Sequence, residues 1–323
     1  MRSTRASTGV ALVVALCTAL TGCGGSSNNL SGSTSSGSSS AASSSGGAGG
    51  RSLVIGSAGF TEIQLMAEMY KLLLEKAGFQ PTIKVVQNRE VYEPALEKGD
   101  IDVVPDYAAT MTEFLNIKAH GQSAAPVATS DKDTTVAALN KLGEPLGIKA
   151  LDAAEAVDQN AFAVTKAYAT KNRLTRMSDL HGRSVVIAAT EECPDRPFCQ
   201  PGLEKTYGIK VTKVLPLGFG TAQVKSAVTS GKAQLGLVGT TDATLPDLGL
   251  VLLQDDKHLQ LADNLVPVVG KDFLGDTTLA SALDALAPTL TTEDLTQLNK
   301  KVDAERQKPA DVAKEYLTSK GML

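Results

Sequence analysis

An α/β fold of two similar lobes is predicted by three observations. The chain has 323 residues, enough for about two domains at roughly 100–200 residues each. Two stretches about 132 residues apart read alike, as strand, loop, helix, strand, helix and strand. Within each stretch, apolar β-branched runs alternate with helical patterns, which calls for a parallel-type sheet covered by helices on both faces. So long a period excludes a solenoid and leaves two lobes facing each other across a cleft.

The elements follow in order. In the first lobe Arg51-Ser-Leu-Val-Ile-Gly56 reads as a buried strand, followed by a loop and a helix that ends Leu74-Glu-Lys-Ala-Gly78. A β-branched strand comes next, over 83–86. The run Ala95-Leu-Glu-Lys-Gly99 then ends a short helix with Gly99 at its C-cap, and a strand closes on Val-Val-Pro-Asp-Tyr107. The second lobe repeats this plan. Arg183-Ser-Val-Val-Ile-Ala188 is its first strand, Leu203-Glu-Lys-Thr-Tyr-Gly208 lies in its helix, and 211–215 form a second strand. Ala227-Val-Thr-Ser-Gly231 and the strand ending at Gly239 align without a gap on the first-lobe segment, Gly99 on Gly231 and Tyr107 on Gly239.

Composition narrows the function. With 42 % hydrophobic and 20 % charged residues the chain can bury a real core. A net charge of −4, without a basic block beyond the first residues, argues against a nucleic-acid partner. Aromatic residues are scarce: seven Phe, six Tyr and no Trp, so a site that needs ring faces has few candidates.

The N-terminus reads as an address and a tether. Arg2 and Arg5 precede an apolar run over 10–20, the pattern of a secretory signal and too short to span a bilayer. The run ends Leu20-Thr-Gly-Cys23, which resembles a bacterial lipobox. That resemblance implies removal of residues 1–22 and lipid on Cys23; the competing reading is an ordinary signal with an incidental cysteine. The rest of segment 23–50 is nearly all Ser, Gly and Ala, a flexible linker whose mean reach is roughly 30 Å. The expected location is the extracytoplasmic face of the bacterial cell membrane. Cys193 and Cys199 lie in a Pro-rich loop of an exported chain, where disulfides persist, and read as a bridge or as two free thiols. His120, His181 and His258 show no ligand spacing with them, so neither a metal nor another cofactor is expected.

No catalytic constellation appears. There is no G-x-S-x-G, and the histidines lack evident partners, so an enzyme is not expected. In sheets of this kind ligands bind outside the carboxyl ends of the strands. That makes the loops 57–61, 87–92, 106–110, 190–201, 218–221 and 239–244 the site candidates.

Six segments, in order, carry a more specific resemblance. They are Gly56-Ser-Ala-Gly-Phe-Thr-Glu62, Gly99-Asp-Ile-Asp-Val-Val-Pro-Asp-Tyr107, Arg196-Pro-Phe-Cys-Gln-Pro-Gly202, Thr240-Thr-Asp242, Leu253-Gln-Asp-Asp-Lys-His258, and the tail Leu298-Asn-Lys-Lys-Val-Asp303 with Asp311-Val-Ala-Lys-Glu-Tyr316. From about residue 52 to the end the chain is similar to the substrate-binding proteins of osmoprotectant ABC importers, the glycine betaine/choline/carnitine group. The resemblance implies a type II periplasmic-binding-protein fold with a ligand cleft between lobes, the first lobe formed by 51–157 and 257–323 and the second by 158–256. It implies a monomer that takes up a small solute and presents it to ABC permease subunits.

A quaternary ammonium donates no hydrogen bond, so its recognition rests on ring faces. By the resemblance Tyr107 is a cage wall, Phe60 stands at the aromatic before the first helix, and Phe162 at the ring that opens the second lobe. Phe60 and Phe162 read equally as core residues. Where the family has an aromatic before Thr-Thr-Asp this chain has Gly239, and the loop around Phe198 is held by two cysteines. The resemblance implies a small osmoprotectant-like solute of the glycine betaine/choline type; a cage reduced to Tyr107 with Phe60, Phe162 and Phe198 makes a polar or uncharged aromatic solute the alternative ligand. A lipid-anchored sensory or interaction protein is the other alternative.

The polar candidates each carry two readings. Thr61 with Gln64 reads as a capping box at a helix start, which also suits an anion. Asn88 and Arg89 open another helix; Arg89 either clamps a carboxylate bidentately or pairs with Glu90. Arg196 has the same choice. Asp106 opposes a cationic ligand or is a solvated strand end. Thr240, Thr241 and Asp242 read as a further helix start that bonds ligand or merely caps, and Asn160 as a hinge or ligand residue at the crossing.

Overall fold

The computed structural model describes residues 50–323. The expected signal segment, Cys23 and nearly all of the linker lie outside the described residues. The order of elements is β1 (Ser52–Ala58), α1 (Thr61–Lys76), β2 (Gln80–Val86), α2 (Arg89–Lys98), β3 (Val103–Tyr107), α3 (Ala108–His120), α4 (Lys132–Gly143) and β4 (Lys149–Ala150). There follow β5 (Asn160–Thr165), α5 (Lys166–Asn172), β6 (Ser184–Ala189), α6 (Gln200–Tyr207), β7 (Lys210–Pro216), α7 (Ala222–Thr229), β8 (Leu235–Gly239) and β9 (Leu250–Leu253). The chain closes with β10 (Leu265–Val269), α8 (Thr277–Asp284), α9 (Thr292–Asp303) and α10 (Pro309–Ser319).

Two five-stranded sheets result, in the orders β2-β1-β3-β10-β4 and β7-β6-β8-β5-β9. The expected repeat is present: β1, β2 and β3 are parallel, and so are β6, β7 and β8. Each sheet is nonetheless mixed, because β10 runs antiparallel to β3 and β4, and β5 antiparallel to β8 and β9. The register gives the reason. Asn160, the first residue of β5, faces Gly239, the last of β8; Leu265, the first of β10, faces Tyr107, the last of β3. A strand that arrives from the opposite sheet enters at the edge where the parallel strands end, and can only run back along them.

Helix ends follow local chemistry. Gly99 closes α2 at φ +83° and Gly208 closes α6 at φ +65°, a left-handed conformation that costs glycine nothing. The capping box expected at Thr61 is absent. Phe60 is the N-cap of α1 without a side-chain cap bond, and the Thr61 hydroxyl donates instead to Asp303 at 2.6 Å. The helix start expected at 240–242 is absent too, because Asp242 accepts from the Thr244 N–H and hydroxyl and folds the chain into a turn.

The first sheet packs on α1, and α1 in turn packs on the three C-terminal helices, whose Leu279, Leu283, Leu295, Leu298, Val312 and Leu317 join the same core. In the second sheet the period of two divides β5 between two clusters. Phe162 and Val164 join Leu203 and Tyr207 on one face, and Ala161 and Ala163 join Val224 and Val228 on the other. Cys193 and Cys199 are joined by a disulfide. No described helix is long and apolar enough to cross a membrane.

Candidate functional site

A cavity of about 560 Å³ lies between the carboxyl ends of the two sets of parallel strands. The first sheet supplies Gly59, Phe60, Gln87, Asn88, Arg89, Glu90, Tyr92, Tyr107 and Thr110; the second supplies Asn160, the loop 190–199, Gly218, Phe219 and Leu237. Five of the six loops singled out by the sequence meet here. The sixth, 239–244, does not.

Three rings define the inner wall. Phe60 lies nearly parallel to Tyr107, with centroids 6.4 Å apart and planes 13° from parallel, and meets Phe219 of the other sheet at 5.2 Å and 57°. Phe198 and Phe114 also line the space. Phe219 was not singled out by the sequence, although its loop was; nothing but the scarcity of aromatics marked it. Phe162 is a correction: at 3 % exposure it belongs to the core of the second sheet. It shares a strand face with Asn160, but two residues deeper, so Asn160 reaches the cavity and Phe162 lies beneath it.

Gly239, which looked like a missing wall, has a different reason. A Cβ there would lie 2.4 Å from Asp158 Oδ2 and 2.8 Å from Oδ1. Asp158 lines the cavity at the crossing into β5, buried, and accepts from the Thr240 hydroxyl at 2.9 Å and the Thr241 N–H at 3.0 Å. The space an aromatic would take is filled by a carboxylate.

Beneath the rings lies a network that joins the two halves. Glu62 of α1 accepts from the Tyr107 hydroxyl at 2.6 Å, from the Asn299 amide at 2.6 Å, and from the Thr241 hydroxyl at 2.9 Å. Thr240, Thr241 and Asp242, expected at the ligand, therefore serve the framework: the first two hold Asp158 and Glu62, and Asp242 pairs with the buried Lys225 at 2.6 Å. Burial raises the pKa of Glu62 against those three hydrogen bonds. Burial, and next the charge of Glu62, push Asp158 well above the usual carboxylate range. Asp263, whose carboxylate accepts from the Thr110 N–H at 2.8 Å, is pushed by burial up to about 7.

The charged pairs settle the two readings of each arginine. Arg89 follows neither reading and is bidentate toward Asp106 of its own sheet; its Nε donates to Oδ2 at 3.0 Å and a second bond runs to Oδ1. Tyr92 completes the shell of Asp106 with a bond of 2.6 Å. Asp106 is thus a buried anchor that does not line the cavity, neither a solvated strand end nor a counter-ion for ligand. Arg196 bonds across the cleft to Glu90, at 2.8 and 3.1 Å from one nitrogen and 3.3 Å from Nε. Beside it the Asn88 amide donates to Glu192 across the same gap. Of the acids, Glu90, Glu191, Glu192, Asp158, Asp195 and Asp263 line the cavity, against Arg89, Arg196 and Lys118. The space is anionic, ring-walled and enclosed from both sides, with no nucleophile–base pair in it. No group of described residues could hold a metal ion.

Residues 51–319 match the family model described as the substrate binding domain of ABC-type glycine betaine transport systems, and the chain belongs to that family. A glycine-betaine-binding protein of Pseudomonas aeruginosa is 26 % identical over 284 residues, covering 84 % of this chain and 89 % of its own. A carnitine transport binding protein of Listeria monocytogenes, OpuCC, is 24 % identical, with 81 % and 85 % covered. Among solved structures, a glycine betaine/carnitine/choline ABC transporter protein superposes with a TM-score of 0.62 at 22 % identity, over 84 % of this chain and 99 % of its own. The apo form of YehZ from Escherichia coli superposes at 0.57 with 26 % identity, over 85 % and 99 %. The fold is that of the type II periplasmic binding proteins, and the family is one of transport proteins rather than enzymes.

Proposed function

We propose that this member of the family binds a small quaternary ammonium solute in the cavity and delivers it to the permease subunits of an ABC importer. The observation that carries the ligand class is the set of rings Phe60, Tyr107 and Phe219 drawn from both sheets, with the acids Glu191, Glu192, Asp195 and Asp263 lining the same space. A quaternary ammonium offers no N–H. It is held by ring quadrupoles and by a negative surround, each ring being worth about 0.5–2 kcal/mol. Phe219 restores the wall that the sequence found wanting at Gly239, so the case for an uncharged ligand loses its ground.

In this reading 51–157 with 257–323 form one lobe, 158–256 form the other, and solute enters between them. Phe60, Tyr107, Asn88 and Arg89 present the first-lobe surface; Asn160, Phe198, Arg196 and Phe219 complete the enclosure. The Arg196–Glu90 pair and the Asn88–Glu192 bond then hold the lobes together over the ligand. The chain performs no bond chemistry, since an ATPase subunit supplies the energy of transport. Lipid on Cys23 and the Ser/Gly linker would keep the monomer near its permease on the extracytoplasmic face.

Calorimetric titration of the folded region with choline, carnitine and glycine betaine tests the ligand class. A ligand at 100 times its dissociation constant also stabilises by about 2.7 kcal/mol, visible as a higher Tm. Absence of heat and of any Tm shift for all three would overturn the reading. Mass analysis of the membrane-extracted protein tests the lipid on Cys23.

A further inference from the structure

We propose that the loop bridged by Cys193 and Cys199 is a redox-sensitive clasp, which holds the two halves together over a bound solute when oxidised and releases them when reduced. This rests on the uptake reading above, in which two lobes close on a ligand, and adds a control to it.

The first ground is that one short loop makes three contacts across the cleft. One Arg196 nitrogen reaches both oxygens of Glu90, at 2.8 and 3.1 Å. Glu192 accepts from the Asn88 amide. Phe198 stands apart from the core of its own sheet and packs with Ala109 of α3 and Ala128, both in the first half.

The second ground is that the bridge sets the shape of that loop. Cys193 and Cys199 are 0 % and 2 % exposed and belong to the core of the second sheet with Leu203 and Tyr207. The Arg196 N–H donates to the Glu192 carbonyl at 3.1 Å, and the Cys199 N–H to the Arg196 carbonyl at 3.0 Å. Arg196 thus stands on two consecutive turns whose base is tied to one half while its side chain grips the other. Pro194 and Pro197 have no N–H to give, so these turns are sparsely bonded apart from the S–S link. Once the link is cut, each closure must order the loop with its Arg196 and Glu192 side chains. Ordering two long side chains is expected to weaken binding by about tenfold.

The chemistry needs only a dithiol reductant. Its thiolate attacks one sulfur and the S–S bond breaks. Two electrons and two protons pass to Cys193 and Cys199, and the reductant leaves as a disulfide. Cys199 borders the cavity, so an occupied cleft also covers the bridge. Linkage is reciprocal: a ligand held tenfold tighter by the oxidised form makes the bridge tenfold harder to reduce, or about 30 mV for a two-electron couple.

The test compares oxidised and dithiothreitol-reduced wild-type protein, with choline as the probe. Choline is expected to leave the reduced form about tenfold faster, with little change in its association rate. In dithiol redox buffers, saturating choline should move the midpoint of the Cys193–Cys199 couple about 30 mV more negative, as read by alkylation of the two cysteines. A third measurement needs no ligand. Glu90→Gln removes the charge that Arg196 grips and lies in the half opposite the bridge. It should make the bridge severalfold easier to reduce. Equal dissociation rates in the two redox states would overturn the clasp. So would a midpoint that Glu90→Gln leaves unmoved, or a reduced form without a cooperative melt, since the bridge would then be a staple of the second half alone. If choline binds neither form, the quaternary ammonium reading fails, and the ligand-free midpoints of wild type and Glu90→Gln still decide the clasp.

Discussion

The two sheets share one plan and differ where their third parallel strands end. In the first, β3 ends at Tyr107, whose ring faces Phe60 and whose hydroxyl donates to Glu62. In the second, β8 ends at Gly239, because the carboxylate of Asp158 occupies the place a side chain would take. After β3 the chain winds into α3; after β8 it makes a turn held by Asp242. One half thus provides its ring from a strand end, and the other provides Phe219 and Phe198 from loops. Duplicated topology does not require duplicated chemistry. The second half spends its strand end on a buried acid, and the ring contact is made from a neighbouring loop.

The comparison breaks most severely at the ring that the sequence misplaced. Phe162→Ala should cost about 3–5 kcal/mol of folding stability, as truncation of a core aromatic does; a loss below about 1 kcal/mol in denaturant unfolding would show that the ring is not core. Next is the network that both halves share. Glu62→Ala leaves the Tyr107 and Thr241 hydroxyls without their acceptor, so unfolding free energy should fall by about 3 kcal/mol. Replacing Cys193 and Cys199 together by Ala releases a short loop that has no counterpart in the first half. The expected loss is about 2 kcal/mol, read by the same method.

Smaller effects sharpen the contrast. Phe219→Ala should weaken ligand binding by about 1–2 kcal/mol in calorimetry, with a smaller stability cost than Phe162→Ala. Unchanged affinity would leave Tyr107 and Phe60 as the whole wall. The smallest effect concerns pH. Burial raises the Asp263 carboxyl to about 7, so the folded protein holds that proton more tightly than the unfolded chain does. Its contribution to stability is present at low pH and is lost as pH rises through about 7. Ionised, the same group attracts a cation, so affinity for a quaternary ammonium should rise severalfold from about pH 6 to 8, with protons released on binding. Asp263→Asn should flatten that rise; a rise that persists would assign it to another acid.

Much of the site was legible as loops and little as contacts. Helix and strand periodicity placed Phe60, Asn88, Tyr107 and Arg196 at the ends of strands, where a parallel sheet presents its ligands, and all four line the cavity. Thr61, Asp106, Phe162, Thr240, Thr241 and Asp242 stand in equally good sequence positions and do not. Which partner each one meets depends on residues far along the chain. Thr61 finds Asp303, and Thr241 finds Glu62 and Asp158. Asp158 and Phe219 carried no local signal, since a lone acid and a lone ring in a loop are ordinary.

The sequence by itself determined the α/β class, the internal repeat, the parallel strands and the edge at which a ligand would lie, because those follow from short-range periodicity and turn chemistry. Only the tertiary structure decided that β5 and β10 run backwards, that Phe219 rather than Phe162 faces the cleft, and that every arginine of the cavity is already paired. Those outcomes depend on packing and on charge compensation between segments remote in the chain. Buried charges must find opposite charges or hydrogen-bond partners wherever the fold brings them, and local pattern holds no record of that choice.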